Sequence, residues 1–159
     1  MTGKTHIIGG ITASLAFAQT SNYETVLLVG AGVVGALIPD ICHGGSKIGR
    51  KLPILSKIIS TLFGHRSFTH SLLFLFLIGI LLNSLVTNES IVAGILVGMA
   101  SHYILDMATK NGIKLLYPIK VTVRFPITTK TGGAVEDVVF AALSLLTVYF
   151  GYGVFTSYF

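Results

Sequence analysis

From Ser67 to Asn88 the chain carries no Lys, Arg, Asp or Glu, and its middle reads LLFLFLIGILL (72–82). Two more stretches, 90–105 and 138–159, are equally free of formal charge. Such runs leave few folds open. In hydrocarbon, every backbone N–H and C=O must be paired inside the protein, and a helix does this within one segment. Only 11% of residues are charged, where a soluble domain carries about 25%. The mean hydropathy is +0.82. The chain reads as an integral membrane protein, one all-α domain over 1–159.

Five apolar segments stand out, roughly 6–19, 25–39, 71–87, 91–108 and 134–158. A spanning helix takes about 20 residues, with a range of about 17–25, which the last three meet. The first two are shorter and rich in Gly, Ala and Ser. The pattern predicts a polytopic bundle of about five transmembrane helices. Small residues at helical spacing, Gly32 with Ala36 and Gly94 with Gly98, suit close helix packing in lipid, although glycine is also simply common in membrane helices.

The connections differ in charge. TSNYE (20–24) and TNES (87–90) hold only Glu24 and Glu89, while the eleven basic residues fall at Lys4, in the loop 43–70 and in 109–133. In a five-helix topology these all lie on one side. Loops rich in Lys and Arg stay in the cytoplasm, so the N-terminus is expected there, in a cell (inner) membrane. The same accounting explains the sequence pI near 9.5 without nucleic acid. Within the first inner loop, Ile54, Leu55, Ile58, Ile59, Leu62 and Phe63 recur at i, i+4 and i+8, which predicts an amphipathic helix at the interface within 43–66. Val121, Val123 and Phe125 alternate with Lys120, Thr122 and Arg124, an extended pattern. Lys4 followed by an apolar run and Ala16-Phe17-Ala18 imitates a signal peptide. The charge pattern works best with that helix retained. One cysteine, Cys42, permits no intrachain disulfide.

GHRSFTHS (64–71) leads straight into the most apolar helix. It is either a plain helix cap with a basic anchor or part of a metal site. His6, Asp40, His43, His65, His70, His102, Asp106, Glu136 and Asp137 all fall at helix ends on the basic side. His102 and Asp106 stand four apart and share a helix face. Imidazole with carboxylate suits Zn²⁺, Mn²⁺ or Fe²⁺, and the candidates outnumber what one ion needs, so one or two ions are expected. Ionisable groups at membrane depth are functional by default. A proton or ion relay competes with this reading, and so does capping for any one histidine alone. Asp137 at a helix start is favoured by the helix dipole itself. Arg50 and Arg66 either bind phosphate or enforce topology.

The blocks THIIGG (5–10), LIPDICHGGSKIGR (37–50), GHRSFTHSLL (64–73), GMASHYILDMATKNGIKLLYP (98–118) and TGGAVE (131–136) resemble the YdjM-like, LexA-binding family of inner-membrane proteins assigned as metal-dependent hydrolases. They come in the family's order and cover nearly the whole chain. Motif positions match at His6, Asp40, His43, His65, His70, His102, Asp106 and Glu136. Cys42 stands where the family often has a second Asp. The His-x-x-x-Asp element is also similar to one in zinc-dependent phospholipase C and P1 nuclease enzymes. The resemblance implies a hydrolase. Its metal, zinc before manganese or iron, would be held by His6, Asp40, His65, His70, His102 and Asp106, with His43 as a further ligand. Glu136 is expected to orient or deprotonate a water, and Arg66, Arg50 and Ser71 to hold an anionic group. A site at headgroup level favours a phospholipid or lipid-linked phosphoester. The alternative is a non-enzymatic membrane protein that senses metal or protons, or docks a soluble partner on Lys47, Arg50 and Lys51.

Overall fold

The computed structural model describes residues 1–64 and 66–158. The helices are α1 (Gly3–Ala18), α2 (Thr25–Gly35), α3 (Lys47–Lys51), α4 (Pro53–Phe63), α5 (Leu72–Leu85), α6 (Glu89–Met107) and α7 (Ala134–Tyr158). Short 3-10 turns, Ile38–Cys42 and Phe68–His70, follow α2 and precede α5. The five expected apolar helices are therefore present, as α1, α2 with its 3-10 extension, α5, α6 and α7. Among the described residues, three segments are long and apolar enough to cross a membrane: Thr25–Cys42, Glu89–Met107 and Ala134–Thr156. The other two are short. At 1.5 Å per residue, α1 with 16 residues and α5 with 14 reach about 24 and 21 Å, against a hydrocarbon core of about 30 Å.

Local chemistry sets the helix ends. Ser71 caps α5 by accepting from the Phe74 N–H, and Asn88 caps α6 by accepting from the Ile91 N–H, each meeting one of the amide donors that a helix start leaves unpaired. Pro39 cannot donate a backbone hydrogen bond, and at this point α2 gives way to the 3-10 turn that carries Asp40. The amphipathic helix forms as expected. Along α4, Ile54, Leu55, Ile58 and Leu62 are exposed while Ser56 is buried, so its apolar face is turned outward as an interfacial helix requires. In the second long connection Val123 pairs with Ile113 in an isolated antiparallel bridge, and Thr109 with Thr129 in a parallel one.

α6 is the central helix, packed on α1, α2 and α5, and α7 lies along α1. The α2–α6 contact is backbone against backbone. A Cβ on Gly98 would stand 2.1 Å from the Gly32 carbonyl oxygen, one on Gly94 would stand 2.3 Å from that of Leu28, and one on Gly35 would meet Ile95. The small residues noted in the sequence thus sit where helices touch, as packing in lipid favours. Where α1 meets α7, the Thr12 and Thr147 hydroxyls lie 2.8 Å apart. The outer surface is apolar, with Leu145, Val148, Tyr149 and Tyr152 of α7 and Phe76 and Leu81 of α5 exposed. Gly98→Ala is expected to destabilise the bundle by about 1–3 kcal/mol, the cost of overpacking a tight contact. Gly30→Ala, whose added carbon meets nothing within 4 Å, should leave the thermal midpoint in detergent unchanged or raised.

Candidate metal centre

The packing of α6 against α1 and α2 brings one end of each helix together. His6 lies in the first turn of α1. Asp40 is in the 3-10 turn after α2, and His70 closes the 3-10 turn before α5. His102 and Asp106 share a face of α6. His6, His70, His102 and Asp106 are fully buried, and the Asp40 side chain is 15% exposed. The Tyr103 hydroxyl donates to the Thr69 carbonyl oxygen at 3.0 Å, which ties the His70 segment to α6.

Two groups of donor atoms form among the described residues. His70, His102 and Asp106 make one, and His6, Asp40 and His102 the other. His70 Nε2 and His102 Nε2 are 3.2 Å apart. Asp106 Oδ2 lies 3.5 Å from the first and 3.7 Å from the second. Asp40 Oδ1 lies 3.9 and 3.8 Å from the same two nitrogens. With metal–ligand bonds of about 2.0–2.2 Å, tetrahedral ligands stand about 3.3–3.6 Å apart, so the first group has nearly the required edges. The His102 ring is oriented by its other nitrogen. Nδ1 is 2.7 Å from the Ala36 carbonyl oxygen, which can only accept, so Nδ1 carries the proton and Nε2 offers its lone pair. The two groups therefore meet at one nitrogen. His6 stacks on His102 with ring centroids 3.7 Å apart, and its Nδ1 is buried without a hydrogen-bond partner among the described residues. A buried polar atom left unpaired in this way costs free energy, and a cation would satisfy an imidazole lone pair. The donor set fits a divalent metal.

Positive groups converge on Asp106. Arg66 Nη2 lies 3.0 Å from its Oδ2 and donates to Oδ1 at 3.2 Å, while Arg66 Nη1 donates to Thr109 Oγ1 at 2.9 Å. His6 Nε2 is 3.3 Å from Oδ1, and the Met1 nitrogen also contacts Oδ1. Burial pushes the His70 imidazole down, but its hydrogen bonds with Asp106 and Cys42 outweigh this and hold it above its ordinary value. The pocket favours positive charge.

Other candidates lie elsewhere. Glu136 Oε1 accepts from the Thr2 N–H, the Thr2 hydroxyl and the Thr5 hydroxyl, each at 2.6 Å. Its Oε2 accepts from the Gly132 N–H at 2.7 Å. Glu136 thus tethers the start of α1, next to His6, to the loop before α7. The sequence signal for this was present in the Thr-x-x-Thr-His run at 2–6 but could not be read without the fold. Asp137 pairs with Lys4 at 3.1 Å on the surface. The Ser71 hydroxyl donates to the Phe68 carbonyl oxygen and accepts from the Phe74 N–H, so it is engaged in capping. His43 is exposed and belongs to neither donor group, and Arg50 is exposed in the last turn of α3. Cys42 is buried beside Pro39 and His70 and is in neither donor group. His65 lies outside the described residues.

A family model described as "YdjM inner membrane protein" matches residues 1–158. The "Uncharacterized protein YvsG" of Bacillus subtilis (strain 168) is 52% identical over 155 residues, covering 98% of this chain and 97% of that protein. The "Inner membrane protein YdjM" of Escherichia coli (strain K12) is 32% identical over 162 residues, covering 94% of this chain and 82% of its own length. The protein of the same name from Shigella flexneri matches equally. No solved structure matches.

Elemental mass spectrometry of the detergent-purified protein should find a divalent metal that His102→Ala and Asp106→Asn remove and His43→Ala keeps. Glu136→Ala should lower stability by about 1.5–3 kcal/mol, as expected for lost hydrogen bonds to a charged group, read as a lower unfolding midpoint.

Proposed function

Because the chain belongs to the YdjM inner membrane protein family, we propose that it is a membrane-embedded metal-dependent hydrolase acting on a phosphoester, with a phospholipid or lipid-linked phosphate as substrate. The observation that carries this reading is the near-tetrahedral spacing of His70 Nε2, His102 Nε2 and Asp106 Oδ2 in a bundle whose surroundings are otherwise apolar. His6, Asp40, His70, His102 and Asp106 hold one divalent ion, zinc before manganese or iron. The shared Nε2 of His102 supports a single centre. Such an ion supplies Lewis acidity, lowering the pKa of water and polarising a phosphoryl oxygen.

The chain's own residues do the rest. The Ala36 carbonyl fixes the His102 tautomer. Glu136 positions α1 and with it His6. Arg66, 13% exposed, stands at the edge of the centre, where its guanidinium can meet an anionic group as its charge develops. Asp40 marks the same edge. The basic residues lie at these helix ends, which supports a centre on the cytoplasmic side, at headgroup depth, with the N-terminus inside.

A second reading has one observation behind it. Four of the five ligands are fully buried, and closed metal sites are structural more often than catalytic. On that reading the protein senses metal or protons, or docks a partner through Lys47, Arg50 and Lys51.

Phospholipid and small phosphoester hydrolysis by the metal-loaded protein in proteoliposomes separates the two. The hydrolase reading expects turnover that Asp106→Asn abolishes and Arg66→Ala reduces about 100-fold, the typical cost of losing one transition-state donor. Full metal content with no turnover on any phosphoester would move the assignment to the sensing or docking protein.

A further inference from the structure

One cavity of about 520 Å³ is lined by Thr109, Lys110, Asn111, Lys130 and Thr131. Its two lysines come from distant points of the 109–133 connection, and the backbone clamps those points together. The Lys110 N–H donates to the Thr129 carbonyl oxygen at 3.0 Å, and the Thr129 N–H to that of Ala108 at 2.8 Å. The lining offers two ammonium groups, an amide and two hydroxyls, and holds no carboxylate. The acids nearest in sequence are all engaged elsewhere: Asp106 with Arg66, Glu136 with Thr2, Thr5 and Gly132, and Asp137 with Lys4. Among the described residues neither Lys110 nor Lys130 has an acidic partner.

This cavity touches the candidate metal centre through shared groups. The buried Thr109 hydroxyl donates to the Asp106 backbone carbonyl at 2.8 Å and accepts from Arg66 Nη1 at 2.9 Å, while Arg66 Nη2 reaches Asp106 Oδ2 at 3.0 Å. One wall of the cavity is thus bonded to a metal-ligand residue on one side and to its arginine on the other. Membrane topology accounts for a basic loop on this side. It does not require that two lysines, an amide and a hydroxyl line one concave space with no acid among them.

We propose that this cavity is the anion subsite of the centre, taking a phosphate group through Lys110 and Lys130, with Asn111 and Thr131 as further hydrogen-bond donors. Lysine binds phosphate as a point charge. Thr109 is a positioning residue, its hydroxyl already spent on Arg66 and Asp106. The role of the subsite in hydrolysis rests on the metal-centre reading, but its binding of phosphate does not.

The test uses the full chain in detergent micelles, titrated with inorganic phosphate and separately with a short-chain phosphatidic acid. Binding is followed by calorimetry, and metal content is measured on the same samples. The Lys110→Gln/Lys130→Gln pair should weaken binding at least tenfold at an unchanged thermal midpoint. The Lys57→Gln/Lys120→Gln pair, which removes equal charge outside the lining, should not. Tighter binding of phosphatidic acid identifies a lipid headgroup as the source, and tighter binding of inorganic phosphate a soluble one. Both orders support the subsite. Equal weakening by the two pairs, or binding of neither probe, overturns it. Site-dependent phosphate binding in a protein that holds no metal keeps the subsite and removes the metal-centre reading. Full metal content with neither probe bound does the reverse.

Discussion

A carboxylate with no exposed surface, inside a bundle whose outer face is hydrocarbon-like, is the constraint on which this structure turns. A buried charge is expensive unless it is paired and hydrogen-bonded. Asp106 meets this with Arg66 on one side and the imidazoles of His6, His70 and His102 around it. These partners come from three pieces of chain, so the ends of α1 and α6 and the turn before α5 must all arrive at one point. Asp40, at the end of α2, completes the set from a fourth direction. The loop geometry follows the same demand. Arg66 adopts a left-handed backbone, φ 55°, unusual for a residue with a side chain, and this turn sends its guanidinium inward.

Precision in that meeting point comes from the rigid contacts further along the helices. Gly94 and Gly98 let α6 lie against the backbone of α2, and His102 and Asp106 follow on the next two turns of the same helix. The Ala36 carbonyl that orients His102 belongs to the residue just after α2, one turn beyond Gly32. Close packing and ligand orientation are thus two ends of one helix–helix contact.

Much of this was legible in the sequence. Uncharged runs announced the apolar helices, and period and polarity identified α4 as amphipathic. The gathering of histidines and acids at one set of helix ends pointed to His6, Asp40, His70, His102 and Asp106, because alternating helix direction alone brings those positions to one side. What stayed hidden depends on side-chain direction. Nothing local separates exposed His43 from buried His70, since both border 3-10 turns. Glu136 reads in the sequence as the group that orients or deprotonates a water. Its tether to Thr2 and Thr5 joins residues 131 or more positions apart and carries no periodic signature. The joining of two ligand groups at one His102 nitrogen is likewise a matter of tautomer and distance, which spacing does not encode.

The shortness of α5 has a consequence for the lipid itself. A helix of about 21 Å set against a hydrocarbon layer of about 30 Å creates a hydrophobic mismatch, and a bilayer answers this by thinning locally, at fractions of a kcal/mol per Å. No residue of α5 is buried in the protein, so the helix meets that lipid directly. Its ends are polar, with Ser71 at one and Asn83 and Ser84 at the other. With α5 spanning, such thinning would draw the headgroup layer toward the turn that carries His70.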